Sequence, residues 1–197
     1  MPLMLGGGDS KPYIRFGSNE NSWKMSSPEG PVEFEFTAPV VFDLHNLVVG
    51  WLKIDAMGRD WQPWPSNTQR SPQPSEEHKQ GFAVDVVSNK LFGDEPVREF
   101  SANTFGSLQF IKELYDSVEN TDEFKQGMCP VVQITGSRVQ KVGKGNPRVP
   151  EFEVKKWVPR PSELGEAEVQ SPPTSATSAP APVAQAPAPA PVEDDEF

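Results

Sequence analysis

The chain has 197 residues, 18 Lys and Arg against 28 Asp and Glu, a formal net charge of −10, and a single cysteine. One cysteine excludes an intramolecular disulfide framework and any Cys-rich zinc site, which reads as a reducing compartment. No stretch approaches the roughly 18 consecutive apolar residues of a membrane span, so a soluble protein without membrane partners is expected.

The charge is unevenly placed. Every cation lies at or before Arg160, while seven acids follow it, so the body through Pro161 carries 18 cations against 21 acids and the remainder carries −7. Acidity therefore belongs mainly to the tail, and the arrangement predicts one folded body followed by a separate acidic segment.

Residues 1–30 read as a partly flexible N-terminal segment. The opening apolar run MPLML has no basic flank and is too short for a signal peptide. VEFEFT (32–37) alternates Val32, Phe34 and Phe36 with Glu33, Glu35 and Thr37, which predicts a strand with one buried face. LVVGWLKI (47–54) predicts a central strand, with Gly50 a bulge or a point of close packing. MGRDWQPWPSNTQRSPQPSEEHKQ (57–80) breaks the strand pattern and predicts a long loop. GFAVDVVS (81–88) and VREFSAN (97–103) predict two more strands.

SANTFGSLQFIKELYDSVEN (101–120) is helical in pattern: Phe105, Leu108, Ile111, Leu114, Tyr115 and Val118 recur at spacings of three and four. Ser101 or Thr104 could cap its start, and Asn120-Thr121 could end it. Strands PVVQITGSRVQKV (130–142) and VPEFEVKKWV (149–158) follow, joined by the basic hairpin tip KVGKGNPR (141–148). Six strands and one helix predict a mainly β fold, a small OB-type β-barrel with one helix over residues 31–161.

From Ser162 the composition changes to Pro and Ala, with no aromatic before the last residue. Such a stretch buries too little apolar surface to offset its ordering entropy, so residues 162–192 are expected to be a disordered, extended linker. It ends in a tip, Glu193, Asp194, Asp195, Glu196 and Phe197, which reads as a hook for other proteins.

No catalytic constellation is present in the sequence. His45 and His78 are far apart, neither G-x-S-x-G nor H-E-x-x-H occurs, and Gly143-Lys144-Gly145 lacks the spacing and hydroxyl of a phosphate loop. The expectation is a non-enzyme with no cofactor and no metal. A stronger signal is cationic charge interleaved with aromatic rings. Seven cations lie between Arg138 and Arg160 against two acids, and the long loop carries Arg59, Trp61, Trp64 and Arg70. Cations track a phosphate backbone, and aromatic faces stack on unpaired bases. The predicted phosphate contacts are Lys53, Arg59, Arg70, Arg138, Lys141, Lys144, Arg148, Lys155 and Lys156, with Trp61 and Trp64 for stacking. Plainer readings stand beside this one: both tryptophans could pin the loop to the barrel, and the cationic segment could be an ordinary solvated hairpin.

A barrel-sized body, a Pro/Ala/Gln linker and consecutive acids ending in Phe197 resemble the single-stranded DNA-binding proteins of bacteria and phages. The bacterial tip has Pro before the Phe; here Glu196 stands there, which leans toward the phage type. The resemblance implies coating of single-stranded DNA during replication and recombination, in a bacterial or phage-infected cytoplasm. It also implies that Glu193–Phe197 recruit a polymerase, helicase or nuclease, and that the tail competes with DNA for the basic surface. The alternative is a protein-interaction or virion-associated β-domain with a partner-binding tail.

Overall fold

The structure, a computed structural model, describes residues 11–55 and 58–165. Ten strands dominate it. In chain order they are β1 (Tyr13–Gly17), β2 (Ser22–Met25), β3 (Val32–Phe34), β4 (Val40–Phe42), β5 (Val48–Asp55), β6 (Gly58–Pro63), β7 (Lys79–Val87), β8 (Val97–Ala102), β9 (Met128–Val139) and β10 (Arg148–Pro159). Three helices interrupt them: α1 (Asn89–Phe92), α2 (Phe105–Val118) and α3 (Asp122–Lys125). The fold is mainly β, as the alternating sequence predicts, with one long helix and two single-turn ones.

The strands form one curled sheet in the order β10-β9-β4-β7-β8-β1-β2-β3, with β5 and β6 branching from β7. A short 3-10 turn at Leu44–Asn46 separates β4 from β5, and both pair with β7. The path from β4 and β5 through β7, β8, α2, β9 and β10 follows the order of a partly open OB-type barrel. On its outer side β8 pairs with β1, in the sole parallel pairing among the described strands.

Helix α2 closes the core. Its period of three to four aims Phe110, Ile111, Leu114 and Val118 inward. Phe110 is fully buried, with ring centroids 5.9 Å from Phe42, 6.1 Å from Phe100 and 5.6 Å from Phe152, so one side chain touches three strands. Burying such a ring stabilises by about 1.5–3 kcal/mol, and truncating it to Ala leaves a cavity costing about 3–5 kcal/mol. Thr121 starts α3, its Oγ1 accepting the Phe124 N–H at 3.3 Å.

Three local expectations change. Residues 11–30 carry β1 and β2 rather than a loose segment, because Ile14, Phe16 and Trp23 join the core. Asn21 turns the chain between them at φ 55, a left-handed conformation that Asn tolerates. Of VEFEFT only Val32–Phe34 is strand, and Val32 is 41% exposed, because β3 lies at the end of the sheet. Finally, the expected loop from 57 begins as a strand: β6 pairs with β5 as an edge, a position that tolerates Pro63 and its missing N–H. Of the linker, Ser162–Leu164 forms a 3-10 turn; its remainder from 166 and the tip Glu193–Phe197 lie outside the described residues.

Candidate nucleic-acid interface

The hairpin of β5 and β6 positions the first cluster. A Cβ on Gly50 would lie 2.5 Å from the Gln62 carbonyl oxygen and 2.8 Å from Pro63 Cα, so glycine is what lets the strands approach. Leu52 then stands opposite Trp61. Trp61 is partly exposed, with the Arg59 guanidinium 5.5 Å from its ring centroid. Arg59 also pairs with Glu99 on β8, and Lys53 with Glu77 at 2.5 Å. An aromatic face and two cations therefore occupy one hairpin, each cation already carrying a carboxylate.

The following loop is built rather than loose. Trp64 is 8% exposed and meets Trp51 edge-on, with centroids 5.7 Å apart. Arg70 stacks 4.5 Å above Trp51 and 5.8 Å from Trp64, while the Trp51 indole N–H donates to the Ser71 carbonyl at 3.0 Å. Asn67 copies a strand partner: its Nδ2 donates to the Leu47 carbonyl and its Oδ1 accepts the Val49 N–H. His78 is buried between Ser75 Oγ at 2.8 Å and Asp60 Oδ2 at 3.0 Å. Trp64 thus departs from the stacking role expected of it: both its neighbours and its burial leave no free face for a base. Arg70 is exposed, but its guanidinium plane is committed to two indoles.

The hairpin of β9 and β10 carries the second cluster. Its tip is closed by reciprocal 2.9 Å bonds between Val142 and Gly145, with Gly143 at φ 56. Lys141 and Lys144 are exposed there and have no ion-pair partner among the described residues, and Lys156, also exposed, has none. The others are engaged. Arg138 pairs with Glu113 of α2 at 2.5 Å, Lys155 with Glu153 at 2.5 Å, and Arg148 donates to Ser137 Oγ at 3.2 Å. Burial alone would push the Glu113 carboxyl up; bonds from Gln109 and Arg138 outweigh it and hold the group below the ordinary value.

The junction between β8 and α2 ties the two hairpins together. Asn103 Nδ2 donates to the Leu52 carbonyl at 3.2 Å, on the first hairpin. Three residues later, Gly106 packs against the Arg148 carbonyl so closely that any Cβ would overlap it. The junction therefore touches both the strand opposite Trp61 and the base of the hairpin whose tip carries Lys141 and Lys144.

A separate groove lies elsewhere. It holds about 690 Å³ between β3 and β9, is bordered by Glu33 and Glu35, and includes none of the predicted contact residues. Sequence reasoning missed the counter-carboxylates Glu77, Glu99 and Glu113, which are distant in the chain from their cations. Glu153, two residues from Lys155 on a strand, carried a readable signal. Among the described residues no cluster of three His, Cys, Asp or Glu is placed to hold a metal ion, and no helix is long and apolar enough to cross a membrane. No family model matches this chain, and neither a curated protein nor a solved structure does.

Proposed function

We propose that the protein binds single-stranded DNA with little sequence preference and recruits replication or recombination enzymes through Glu193–Phe197. One observation carries this reading: the hairpin that bears Arg59 and Trp61 and the hairpin whose tip bears Lys141 and Lys144 both contact the Asn103–Gly106 junction, through the Leu52 and Arg148 carbonyls. In OB-type barrels the loops at these chain positions are the ones that grip oligonucleotides. Free lysines supply sequence-independent attraction to phosphate, and the partly exposed Trp61 indole supplies a stacking platform. Arg148, Lys156 and the exchangeable pairs of Lys53, Arg59, Arg138 and Lys155 extend the basic surface.

The same pairs support a second reading. Four of the nine expected phosphate contacts already hold carboxylates, as they would in a β-domain that binds protein and ignores nucleic acid. Titration of oligo-dT against tryptophan emission at two salt concentrations separates them. Two chains are compared: the full chain and one ending at Gly165, the residue whose carbonyl Arg160 holds. Salt-sensitive quenching, tighter without the acidic tail, is the expected result. Absence of binding by both chains would overturn the nucleic-acid reading and leave the interaction domain.

A further inference from the structure

The curled sheet stops short of closing, and the gap has a definite chemistry. Strand β3 ends the sheet and, among the described strands, pairs only with β2. Strand β9 pairs with β4 only at Val131 and Val132, so from Gln133 onward that edge has no strand partner among the described residues. The 690 Å³ trench lies between these two edges. Its floor is Phe16, Trp23, Phe34, Phe36 and Ile134, with Trp23 edge-on to Phe36 at 4.8 Å. Two side-chain bonds span it: Gln133 Nε2 donates to the Phe36 carbonyl at 2.8 Å, and Ser137 Oγ to Asn21 Oδ1 at 2.5 Å.

Two facing strand edges above an apolar floor form a slot for one more strand. An inserted backbone that displaces the Gln133 side chain from the Phe36 and Ile134 carbonyls, which it bonds at 2.8 and 3.0 Å, finds N–H and C=O partners on its flanks, and every second side chain drops onto the aromatic floor. Charge decides what fits. Glu33 and Glu35 border the slot, the Glu33 side chain being 69% exposed; Glu20 lies across Lys24, and Glu151 Oε2 is 3.7 Å from where a Gly136 Cβ would stand. Against these four acids stand three cations: Lys24, already held by Glu20 and 3.9 Å from Glu33, Arg15 near Glu20, and Arg148, which reaches Ser137 at one end. Phosphate and the chain's own acidic tip are repelled by such a border, whereas a basic segment is attracted.

We propose that this trench is a strand-addition site for an extended, basic peptide segment of a partner protein, whose alternate apolar side chains occupy the aromatic floor. The site shares none of the free lysines with the nucleic-acid reading and meets it only at Arg148, which reaches the trench residue Ser137.

The test uses the full chain and a labelled probe peptide, acetyl-KVKFKVKV-amide. Three comparison peptides are the same peptide with alternate amides N-methylated, its Glu-for-Lys counterpart, and the acidic hexapeptide VEDDEF; oligo-dT is followed by exchange alone. Anisotropy measures binding, and amide hydrogen exchange locates it. The proposal expects binding at least tenfold tighter for the unmodified basic peptide than for the others, with new protection at 33–36 and 134–137. The exposed-site variant E33K/E35K, checked for an unchanged melt, should lose at least tenfold. Equal binding of the N-methylated peptide would reduce the contact to charge alone and overturn strand addition. Protection of these amides by VEDDEF or by oligo-dT would reassign the trench to the tail or to nucleic acid, and no binding of any probe would equally overturn the proposal.

Discussion

Arg160 grips the carboxylate of Asp43, which is 1% exposed, through Nε at 3.1 Å and Nη2 at 2.9 Å across 117 positions of chain. Asn46 Nδ2 donates to the same oxygen at 2.9 Å, and Arg160 also bonds the Leu164 and Gly165 carbonyls. One guanidinium thus fixes the turn after β4, the end of β10 and the start of the linker. Its hydrogen bond to Asp43 is the main reason its own pKa is raised. Arg160→Ala strands a buried charge and should cost about 3 kcal/mol, at the lower end of the range for broken buried pairs because Arg160 remains partly exposed. Urea unfolding measures it; a loss below about 0.5 kcal/mol would contradict the role.

Cys129, buried behind this pair, has its thiol pushed up to about 11 by burial first and by Asp43 second. The folded protein therefore keeps the thiol proton at a pH where the unfolded chain, near 9.0, has lost it. Stability from this group is complete below the unfolded value and falls as pH rises from there toward about 11. Urea midpoints at pH 8 and pH 10 should separate in the natural chain and separate less in Cys129→Ala. The native thiol should also resist alkylation until the protein is unfolded.

The two loop tryptophans should divide function from stability. Trp64→Ala removes a buried ring from the Trp51 and Arg70 stack and should cost about 3–5 kcal/mol. Trp61→Ala should leave the melt within about 0.5 kcal/mol and weaken oligo-dT binding by about 1–3 kcal/mol. Equal oligo-dT affinity after the second change would remove Trp61 from the interface.

Charge changes should be legible in the salt response. Replacing Lys141 and Lys144 by Ala should lower the slope of log affinity against log salt by about 0.7 for each phosphate left without its lysine. Glu99→Gln acts oppositely: it releases Arg59 from its partner and should tighten oligo-dT binding. Weaker binding by that variant would mean that Glu99 positions Arg59 productively rather than competing with DNA.

Gly106→Ala tests the joint between the two hairpins. The added methyl meets the Arg148 carbonyl and Ser18 Oγ, and overpacking of this kind costs about 1–3 kcal/mol. Because the displaced backbone belongs to the base of the lysine tip, oligo-dT affinity should fall beyond what the melt explains; a stability loss alone would uncouple the joint from binding.

Much of this architecture is legible in the sequence because strand and helix periods are local. Val48–Asp55, Lys79–Val87, Met128–Val139 and Arg148–Pro159 each fall where alternation or an apolar run places them. What escaped depends on contacts far along the chain. Trp23 reads as a lone aromatic in a polar stretch until Phe16, Phe36 and Phe100 surround it. Trp64 reads as an exposed ring until Trp51 and Arg70 take it. Composition identifies Lys141 and Lys144 as cations, but only the fold tells them from Arg138, whose charge is spent on Glu113.

The parallel pairing of β1 with β8 also sets an order of events in the cell. Tyr13 stands beside Glu99, and Ile14 beside Phe100, so the first strand made waits for the eighth. At about 5–20 residues per second, the ribosome needs about 4–17 s to supply that partner. During this interval the nascent β1–β3 meander presents Trp23, Phe34 and Phe36 uncovered. Slow, long-range closure of this kind exposes the chain to aggregation and to chaperones before the barrel exists.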